Sequence, residues 1–179
     1  MIIAGYAGVG KSEFCKAHVD YAIDFICMPF KYENFYEVSN GLSEGEDIKA
    51  NSKLILREHW EMYYYWALKY LNNHCPEKYI VIPTIKSIMR LLKTDGIPYS
   101  VVYPSRDCKE EYRERYIKRG NTQAFLDIFI ERWDDMLDGL NELGGRVIEL
   151  REGQYLSDVI KLDEAKMSKD FGVENEAEE

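Results

Sequence analysis

The feature that most constrains this chain is a glycine-rich octapeptide directly after a short apolar run near its start. Residues 1–4 read M-I-I-A, and residues 5–12 read G-Y-A-G-V-G-K-S. An apolar run bounded by glycine predicts a buried strand that ends at Gly5. The glycines that follow allow backbone conformations that are closed to residues with a Cβ atom. The chain is therefore expected to begin with a strand and a tight loop, followed by a helix from about Lys11.

The spacing G-x-x-x-x-G-K-S is that of a phosphate-binding loop, the Walker A motif. In such a loop the N–H groups turn inward around an anion, and the dipole of the next helix points at the same anion. Lys11 is expected to reach the β- and γ-phosphates of ATP, and the Ser12 hydroxyl to bind Mg²⁺. A glycine-rich turn without a ligand is the alternative, and the amphipathic segment after the loop disfavours it. The predicted ATP-binding residues of the loop are Gly5, Gly8, Val9, Gly10, Lys11 and Ser12.

Short apolar runs alternate with helical patterns along the rest of the chain. Four further strands are predicted, in YAIDFICM, KYIVIP, YSVVYP and RVIEL. Between them apolar residues recur at helical spacing, and Gly144 and Gly145 end the last such segment. This alternation predicts an α/β fold of the P-loop NTPase type, with a five-stranded parallel sheet and helices on both faces. We expect a single domain of residues 1–161 with one long insertion, residues 29–78.

Charge and composition restrict the partners. The net charge of −9 disfavours nucleic acid or an anionic membrane as the main partner. Residues 162–179 contain seven acidic and two basic residues, and we expect an acidic, disordered tail there. No apolar stretch approaches the length of a membrane span, and a strand at Met1 leaves no room for a signal peptide, so a cytoplasmic location is expected. The four widely spaced cysteines predict packing roles. The oligomeric state stays open.

Ligands of parallel sheets bind beyond the carboxyl ends of the strands. This rule nominates Asp24, after the second strand, and Thr84, after the third. The third strand carries no Walker B carboxylate to support Mg²⁺, and the chain has no N-K-x-D motif of GTPases. Asp24 is the expected substitute, where it would orient or deprotonate an acceptor or hold the metal. An ordinary aspartate at a strand end is the alternative.

The insertion at residues 29–78 is rich in aromatic residues and holds one well-placed cation, Arg57, a helical turn before Trp60. Arg90, on the helix after the third strand, could join it. Aromatic rings stack on flat bases, and guanidinium groups grip phosphates bidentately. We therefore predict that Arg57, Tyr63 and Arg90 bind a nucleotide acceptor. A protein-binding surface would suit the same aromatic residues.

The segment YPSRDCKEEYRERYIKRGN predicts a helix with Ser105 as its N-cap and Gly120 just after its end. Cys108, Tyr112 and Tyr116 form an apolar seam along it. Its arginines predict a lid at residues 104–121, because phosphoryl transfer needs positive donors on the transferred group. Arg115 and Arg119 are the predicted catalytic donors, and a self-paired solvated helix is the alternative.

The donor base is expected near the turn that follows the fifth strand, in LREGQYL. Backbone groups there could read the edge of adenine, and Gln154 is predicted to contribute. Arg119, from the lid side, is predicted to stack on the other face of the ring.

With these residues identified, the chain resembles the small P-loop kinases related to nucleoside monophosphate kinases. It is most similar to phage and bacterial proteins described as nucleotide-kinase-like or adenylate-kinase-like. The resemblance rests on the Walker A loop, Asp24 and the KEEYRERYIKRGN segment, and it spans residues 1–160. It implies a phosphotransferase that uses ATP and Mg²⁺, with Ser12 and Asp24 toward the metal and a small-molecule nucleotide acceptor, a nucleoside or deoxynucleoside monophosphate, in the insertion.

Two departures from this family fall on the acceptor side. Relatives tend to have serines where this chain has residues 25–27, F-I-C, and their basic residue after the third strand is replaced by Lys86, two positions beyond Thr84. Three alternatives remain open: an ATP-binding module without transfer activity, a kinase for another small acceptor, and a kinase for 5′-hydroxyl nucleic acid ends.

Overall fold

Five parallel strands lie side by side in the order β2-β3-β1-β4-β5. They belong to a computed structural model that describes residues 1–41 and 53–162. Residues 42–52 of the predicted insertion and 163–179 of the predicted tail lie outside the described residues. The strands are β1 Ile2–Gly5, β2 Ala22–Asp24, β3 Tyr79–Pro83, β4 Tyr99–Pro104 and β5 Arg146–Leu150.

The centre of the sheet is made by the strands with the most continuous apolar sequence. All residues of β1 and β4 are buried, as expected for strands covered on both faces. The edge strand β5 is more exposed, and Val147 keeps 43 % of its surface accessible. The predicted α/β fold with a five-stranded parallel sheet is confirmed. Strands β1 and β4 are neighbours whose following connections lead to opposite sides of the sheet, and ligands bind at such a point.

Helices connect the strands and cover the sheet. The described helices are α1 Lys11–Ala17, α2 Met28–Lys31, α3 Phe35–Asn40, α4 Trp60–His74, α5 Lys86–Thr94, α6 Lys109–Lys118, α7 Gln123–Leu126, α8 Trp133–Asn141 and α9 Leu156–Val159. Within the described residues, no helix has the length and apolar character needed to cross a membrane.

Two predicted elements differ from the observed ones. The second strand, expected over residues 21–28, ends at Asp24, because Pro29 lies in the first turn of α2, where its fixed φ angle favours a helix. The helix expected over residues 122–142 is divided into α7, a π-helical segment at Asp127–Glu131, and α8. The extra residue in a π turn shifts the helical face, so periodicity counted across it does not follow one straight helix.

The N-terminal cap predicted for the segment at residues 105–118 is wrong. A 3₁₀ turn at Arg106–Cys108 precedes α6, and the side chain of Ser105 makes no capping hydrogen bond. Its Oγ atom lies 3.2 Å from the Sγ atom of Cys108. The C-terminal signal is confirmed, because Gly120 follows α6 with a φ of +72°.

Candidate active site

The octapeptide forms a tight loop between β1 and α1. Gly8 and Gly10 have φ angles of +81° and +87°, a region that L-residues with side chains rarely adopt. Gly10 precedes α1, so the loop delivers the N-terminus of that helix. The side chain of Lys11 folds back toward the start of the loop. Its Nζ atom donates hydrogen bonds to the carbonyl oxygens of Gly5, at 2.9 Å, and Tyr6, at 2.8 Å. The ammonium group is therefore held at the loop itself, where the motif predicts it.

Three successive carbonyl groups of the loop are bound by side chains or backbone from distant parts of the chain. The Tyr116 hydroxyl donates to the Ala7 oxygen at 3.0 Å. The next carbonyl, of Gly8, accepts from Nη1 of Arg115 at 3.3 Å. Leu156 is the first residue of α9. Its N–H group donates to the carbonyl oxygen of Val9 at 2.8 Å. Helix α6 and the turn after β5 thus fix the loop from outside.

Aromatic rings lie directly beneath the loop. A Cβ atom added to Gly8 would come within 2.9 Å of Tyr116 and 3.2 Å of Tyr112. Both tyrosines are buried and belong to the predicted apolar seam of α6. Tyr6 is buried as well and makes edge-on contacts with Phe129 and Trp133. The π-helical segment and the start of α8 therefore support the loop from below.

The two predicted lid arginines occupy different environments. The side chain of Arg115 is only 11 % exposed and forms an ion pair with Glu111. Its guanidinium group also packs on two rings, with Cζ 4.6 Å from the Tyr112 centroid and 4.0 Å from that of Tyr155. Arg119, one turn further along, is exposed at the end of α6. The buried seam holds α6 on the core, and Arg119 is an exposed cation at the end of that helix, within the predicted lid.

The turn after β5 lies beside the phosphate loop, where the donor base was predicted. Gln154 closes this turn, since its Oε1 accepts from the N–H group of Arg151 at 2.8 Å. The backbone oxygen of Gln154 accepts from Nη2 of Arg115 at 3.3 Å. Gly153 donates to the Glu111 carboxylate, with N–O distances of 3.1 and 3.2 Å. Tyr155, which is 45 % exposed, lies against Gly10.

The charges of Asp24 and Lys11 both act on the buried thiol of Cys15, on α1. The pKa of the Cys15 thiol is raised to about 12, mainly by burial and in addition by the negative charge of Asp24, while the positive charge of Lys11 acts in the opposite direction. Asp24 ends β2 beside Val81 of β3. Asp24 thus ends the strand that neighbours β3, and its charge, like that of Lys11, acts on the thiol of Cys15.

The donor set fits a magnesium ion bound largely through nucleotide phosphates. Ser12 is exposed in the first turn of α1, and Asp24 offers carboxylate oxygen; both are the hard oxygen ligands that Mg²⁺ takes. Within residues 1–41 and 53–162, no group of three or more His, Cys, Asp and Glu side chains could hold a metal by itself. Mg²⁺ at nucleotide sites is commonly bound by one or two protein groups together with phosphates and water.

An aromatic cluster begins at the residue after Asp24. The Phe25 ring stacks on Tyr64 of α4 with centroids 4.7 Å apart, and Phe30 packs edge-on against both. The Tyr64 hydroxyl donates to the Phe25 oxygen at 2.6 Å. Burial is the main cause that raises the pKa of Tyr64, and the charges of Cys27 and Asp24 act in the same direction. Phe25 is thus part of an aromatic cluster that begins directly after Asp24.

Two of the predicted acceptor residues lie together on the insertion. The Cζ atom of Arg57 is 6.0 Å from the ring centroid of Tyr63, within the range of a cation–π contact. The backbone N–H group of Arg57 donates to the Lys31 oxygen, which ties this residue to the end of α2. Its Nε atom is buried and has no hydrogen-bond partner within the described residues. Tyr63 is 56 % exposed, so the pair faces solvent on one side.

The remaining predicted acceptor residues follow β3. Pro83 pairs with Gly5, so Thr84 comes directly after the strand neighbouring the phosphate loop. Arg90 is exposed on α5. Lys86 extends toward α8, where its Nζ atom lies over Gly139. Lys86 therefore contacts α8.

Sequence reasoning missed two features of this site. The sequence pattern predicts only a packing role for Tyr116, although its hydroxyl binds the phosphate loop, and it does not single out Tyr155. The only signal for Tyr155 was its position in the turn after β5. Nothing in the local sequence could identify the Ala7–Tyr116 bond, which joins residues 109 positions apart.

Comparison with known proteins supports the fold. No protein-family model matches the chain, and no curated protein matches it in sequence. Among solved structures, the chain is similar to a tunicamycin resistance protein of Deinococcus radiodurans, with a TM-score of 0.52 and 17 % sequence identity over 96 % of this chain and 95 % of that one. At this identity the similarity concerns the fold, which is a P-loop kinase-like fold.

Proposed function

We propose that this protein is an ATP-dependent phosphotransferase that moves the γ-phosphate of ATP to a small acceptor. The carrying observation is the arrangement around the phosphate loop: Lys11 is bound at the loop, α1 begins at its end, and Asp24, the last residue of β2, acts by its charge on Cys15 of the same helix. A phosphate-binding loop alone supports nucleotide binding. The presence of both a carboxylate, Asp24 at the end of β2, and an exposed cation, Arg119 at the end of α6, is what favours transfer over binding alone.

In the proposed reaction, an acceptor oxygen forms a bond to the γ-phosphorus of ATP while the bond to the β,γ-bridging oxygen breaks and ADP leaves. Lys11 would bind the β- and γ-phosphates, and Arg119 would stabilise the negative charge of the transferred group. Asp24 would orient the acceptor and accept its proton if the acceptor is a hydroxyl group. Ser12 and Asp24 would hold Mg²⁺, which neutralises phosphate charge when it is bound.

The acceptor we propose is a nucleoside or deoxynucleoside monophosphate. The support comes from the cluster of Phe25, Phe30 and Tyr64 beside Asp24, and from Arg57 with its unpartnered Nε atom next to Tyr63. Flat apolar rings suit a base, and a guanidinium group suits a phosphate.

A coupled assay of ADP release tests this proposal. The acceptor panel holds ribo- and deoxynucleoside monophosphates, nucleosides, sugars, 5′-hydroxyl oligonucleotides and tunicamycin, the last because a solved structure of similar fold is a tunicamycin resistance protein. Turnover with a monophosphate supports the proposal. Turnover only with another acceptor would keep the phosphotransferase and reject the monophosphate. ATP binding without ADP release on any acceptor would favour the binding module.

A further inference from the structure

The carbonyl oxygens and the N–H groups of the phosphate loop differ in their hydrogen bonding within the protein. The carbonyl oxygen of each residue from 5 to 10 accepts a hydrogen bond. The donors, in chain order, are Lys11 Nζ for both Gly5 and Tyr6, Tyr116 Oη for Ala7, Arg115 Nη1 for Gly8, Leu156 N for Val9 and Phe14 N for Gly10. In contrast, within the described residues the N–H groups of Gly8 and Gly10 donate to no protein acceptor. The loop therefore retains donors for a ligand.

Peptide geometry connects these two facts. The described residues contain no cis peptide bond, and in a planar trans peptide the C=O and the next N–H point in opposite directions. Since the Ala7 oxygen is directed to the Tyr116 hydroxyl, the N–H group of Gly8 is directed away from Tyr116. The Val9–Gly10 peptide is oriented in the same way by Leu156, whereas in the Gly8–Val9 peptide Arg115 binds the Gly8 oxygen and the N–H group of Val9 donates to the Tyr6 oxygen at 3.5 Å. Turning any of these peptides would break the bond to its carbonyl.

We propose that Tyr116 is a positioning residue of the phosphate-binding loop. Its hydroxyl holds the Ala7 carbonyl so that the Gly8 amide faces the β- and γ-phosphates, and its ring, under Gly8, blocks a collapse of the loop toward the core. Arg115 binds the Gly8 carbonyl of the following peptide, whose N–H group donates within the loop to the Tyr6 oxygen. The inference rests on the proposed function in that the ligand is the triphosphate of ATP, but it does not require transfer.

The geometry makes Tyr116 suited to this role. Its side chain is fully buried, so the hydroxyl has no access to bulk water and a fixed direction toward Ala7. Edge-on contacts with Tyr112 and Phe125 hold the ring on both sides. A buried hydroxyl in a rigid ring orients its acceptor without the entropic cost that a long flexible side chain would carry.

The test is the variant Tyr116→Phe, which removes the hydroxyl and keeps the ring. The matched control is Tyr99→Phe. Tyr99 is also buried and donates to a backbone carbonyl, that of Leu143 at 3.0 Å, but it lies beside Ile2, at the opposite end of β1 from the loop. Both variants lose one hydroxyl–carbonyl bond, so both should lose similar thermal stability. Only Tyr116→Phe should weaken binding of ATP and of inorganic tripolyphosphate, by about three- to tenfold.

Binding is measured by titration calorimetry with Mg²⁺, independently of any acceptor. Equal affinity of Tyr116→Phe and the unmodified protein for both ligands would overturn the inference. Equal weakening in Tyr99→Phe would also overturn it, because the effect would then be one of stability. A phosphotransferase assay that fails with every acceptor would reject the proposed transfer and leave this comparison of affinities intact. Failure of the unmodified protein to bind either ligand would overturn both.

Discussion

The guanidinium group of Arg115 packs on the ring of Tyr155, with the Cζ atom 4.0 Å from the ring centroid. This contact joins α6 to the turn after β5, two parts of the chain that both touch the phosphate loop. It gives Arg115 a role distinct from that of Arg119, although the sequence pattern treats the two arginines alike. Arg115 is used for holding the loop, while Arg119 remains exposed and available to a ligand.

We predict that alanine at these two positions has different kinetic effects. Arg115→Ala frees the Gly8 carbonyl and leaves Glu111 without its cation, so the KM for ATP should rise by about tenfold, with a smaller change in kcat. Arg119→Ala should lower kcat by on the order of 10³ with little change in the ATP KM. Steady-state kinetics with the acceptor found in the panel measures both.

Arg113→Ala is the control for this pair. Arg113 lies on the same helix and forms ion pairs with Glu110 and Glu131. Pairs of this exposed kind contribute at most about 1 kcal/mol to stability, and none of their members contacts the loop. Its kinetics should equal those of the unmodified protein. Identical effects of Arg115→Ala and Arg119→Ala would contradict the division of roles.

Lys11→Ala should remove turnover and weaken binding of tripolyphosphate by about 10- to 100-fold, as expected for a charged hydrogen-bond donor. The fold should persist, because α1 keeps its buried residues Phe14 and Cys15. Lys16→Ala serves as the control on the same helix, since Lys16 is exposed and pairs with Glu13. Circular dichroism and calorimetry measure the two effects. Retained turnover in folded Lys11→Ala would refute the assignment.

The proximity of Asp24 to Cys15 can be measured without any substrate. A negative charge disfavours the thiolate, so Asp24→Asn should lower the pKa of Cys15 from about 12 and speed its alkylation at pH 8. Lys11→Ala removes a positive charge and should have the opposite effect. Iodoacetamide labelling followed by mass spectrometry over a pH series gives both rates. Labelling that is unchanged in Asp24→Asn would place the carboxylate elsewhere.

The same variant tests the proposed chemistry. If Asp24 orients the acceptor or accepts its proton, Asp24→Asn should lower kcat by about 10²-fold or more, because the amide keeps the shape and loses the basic oxygen. Affinity for ATP should change much less. A kcat within a factor of two of the unmodified protein would show that Asp24 is an ordinary residue at a strand end.

Alanine variants of two glycines with positive φ angles can separate the stability cost of backbone strain from that of steric crowding. Alanine at Gly120, where no atom lies within 4 Å of an added Cβ, should cost about 1–2 kcal/mol of unfolding free energy for the left-handed conformation. Alanine at Gly8 also meets Tyr116, so about 1–3 kcal/mol should be added. Urea unfolding measures both. Equal losses would contradict the tight packing between α6 and the loop.

Local sequence was sufficient for the features that depend on neighbouring residues. The Walker A spacing determined the loop, and the run at residues 99–104 predicted the bounds of β4, because strands covered on both faces are continuously apolar. Gly120 was identified as the end of α6 for a similar reason: its φ requirement is local.

Features that depend on distant contacts were not predictable in this way. Periodicity cannot give the strand order, because β1 pairs with β3 and β4, about 80 and 100 residues later. The aromatic residues of α4 are too many for one helical face, and their pattern suits an acceptor wall and a protein-binding surface equally. Tyr64 and Tyr65 are buried, whereas Tyr63, Trp66 and Tyr70 face outward. Which of them reaches Asp24 follows from the packing of α4 against Phe25, a contact that joins the helix to the end of β2.

The exposed aromatics of α4 allow a comparison on the acceptor side. Tyr63 contacts Arg57, while Tyr70, two turns later, stacks on His74 with centroids 3.9 Å apart. Their exposed fractions are close, 56 % and 61 %. Loss of either ring should therefore have a similar effect on stability. Only the loss of Tyr63 should disturb the position of Arg57.

We predict that Tyr63→Ala and Arg57→Lys raise the acceptor KM about tenfold while the ATP KM and the affinity for tripolyphosphate stay unchanged. The reason for Arg57→Lys is that an ammonium group keeps the charge but loses the planar fork that binds a phosphate bidentately. Tyr70→Ala should behave like the unmodified protein. Steady-state kinetics at saturating ATP measures the acceptor KM. If Tyr63→Ala and Tyr70→Ala have equal effects, or if Arg57→Lys changes the ATP KM instead, the acceptor is bound elsewhere than at the Arg57–Tyr63 pair.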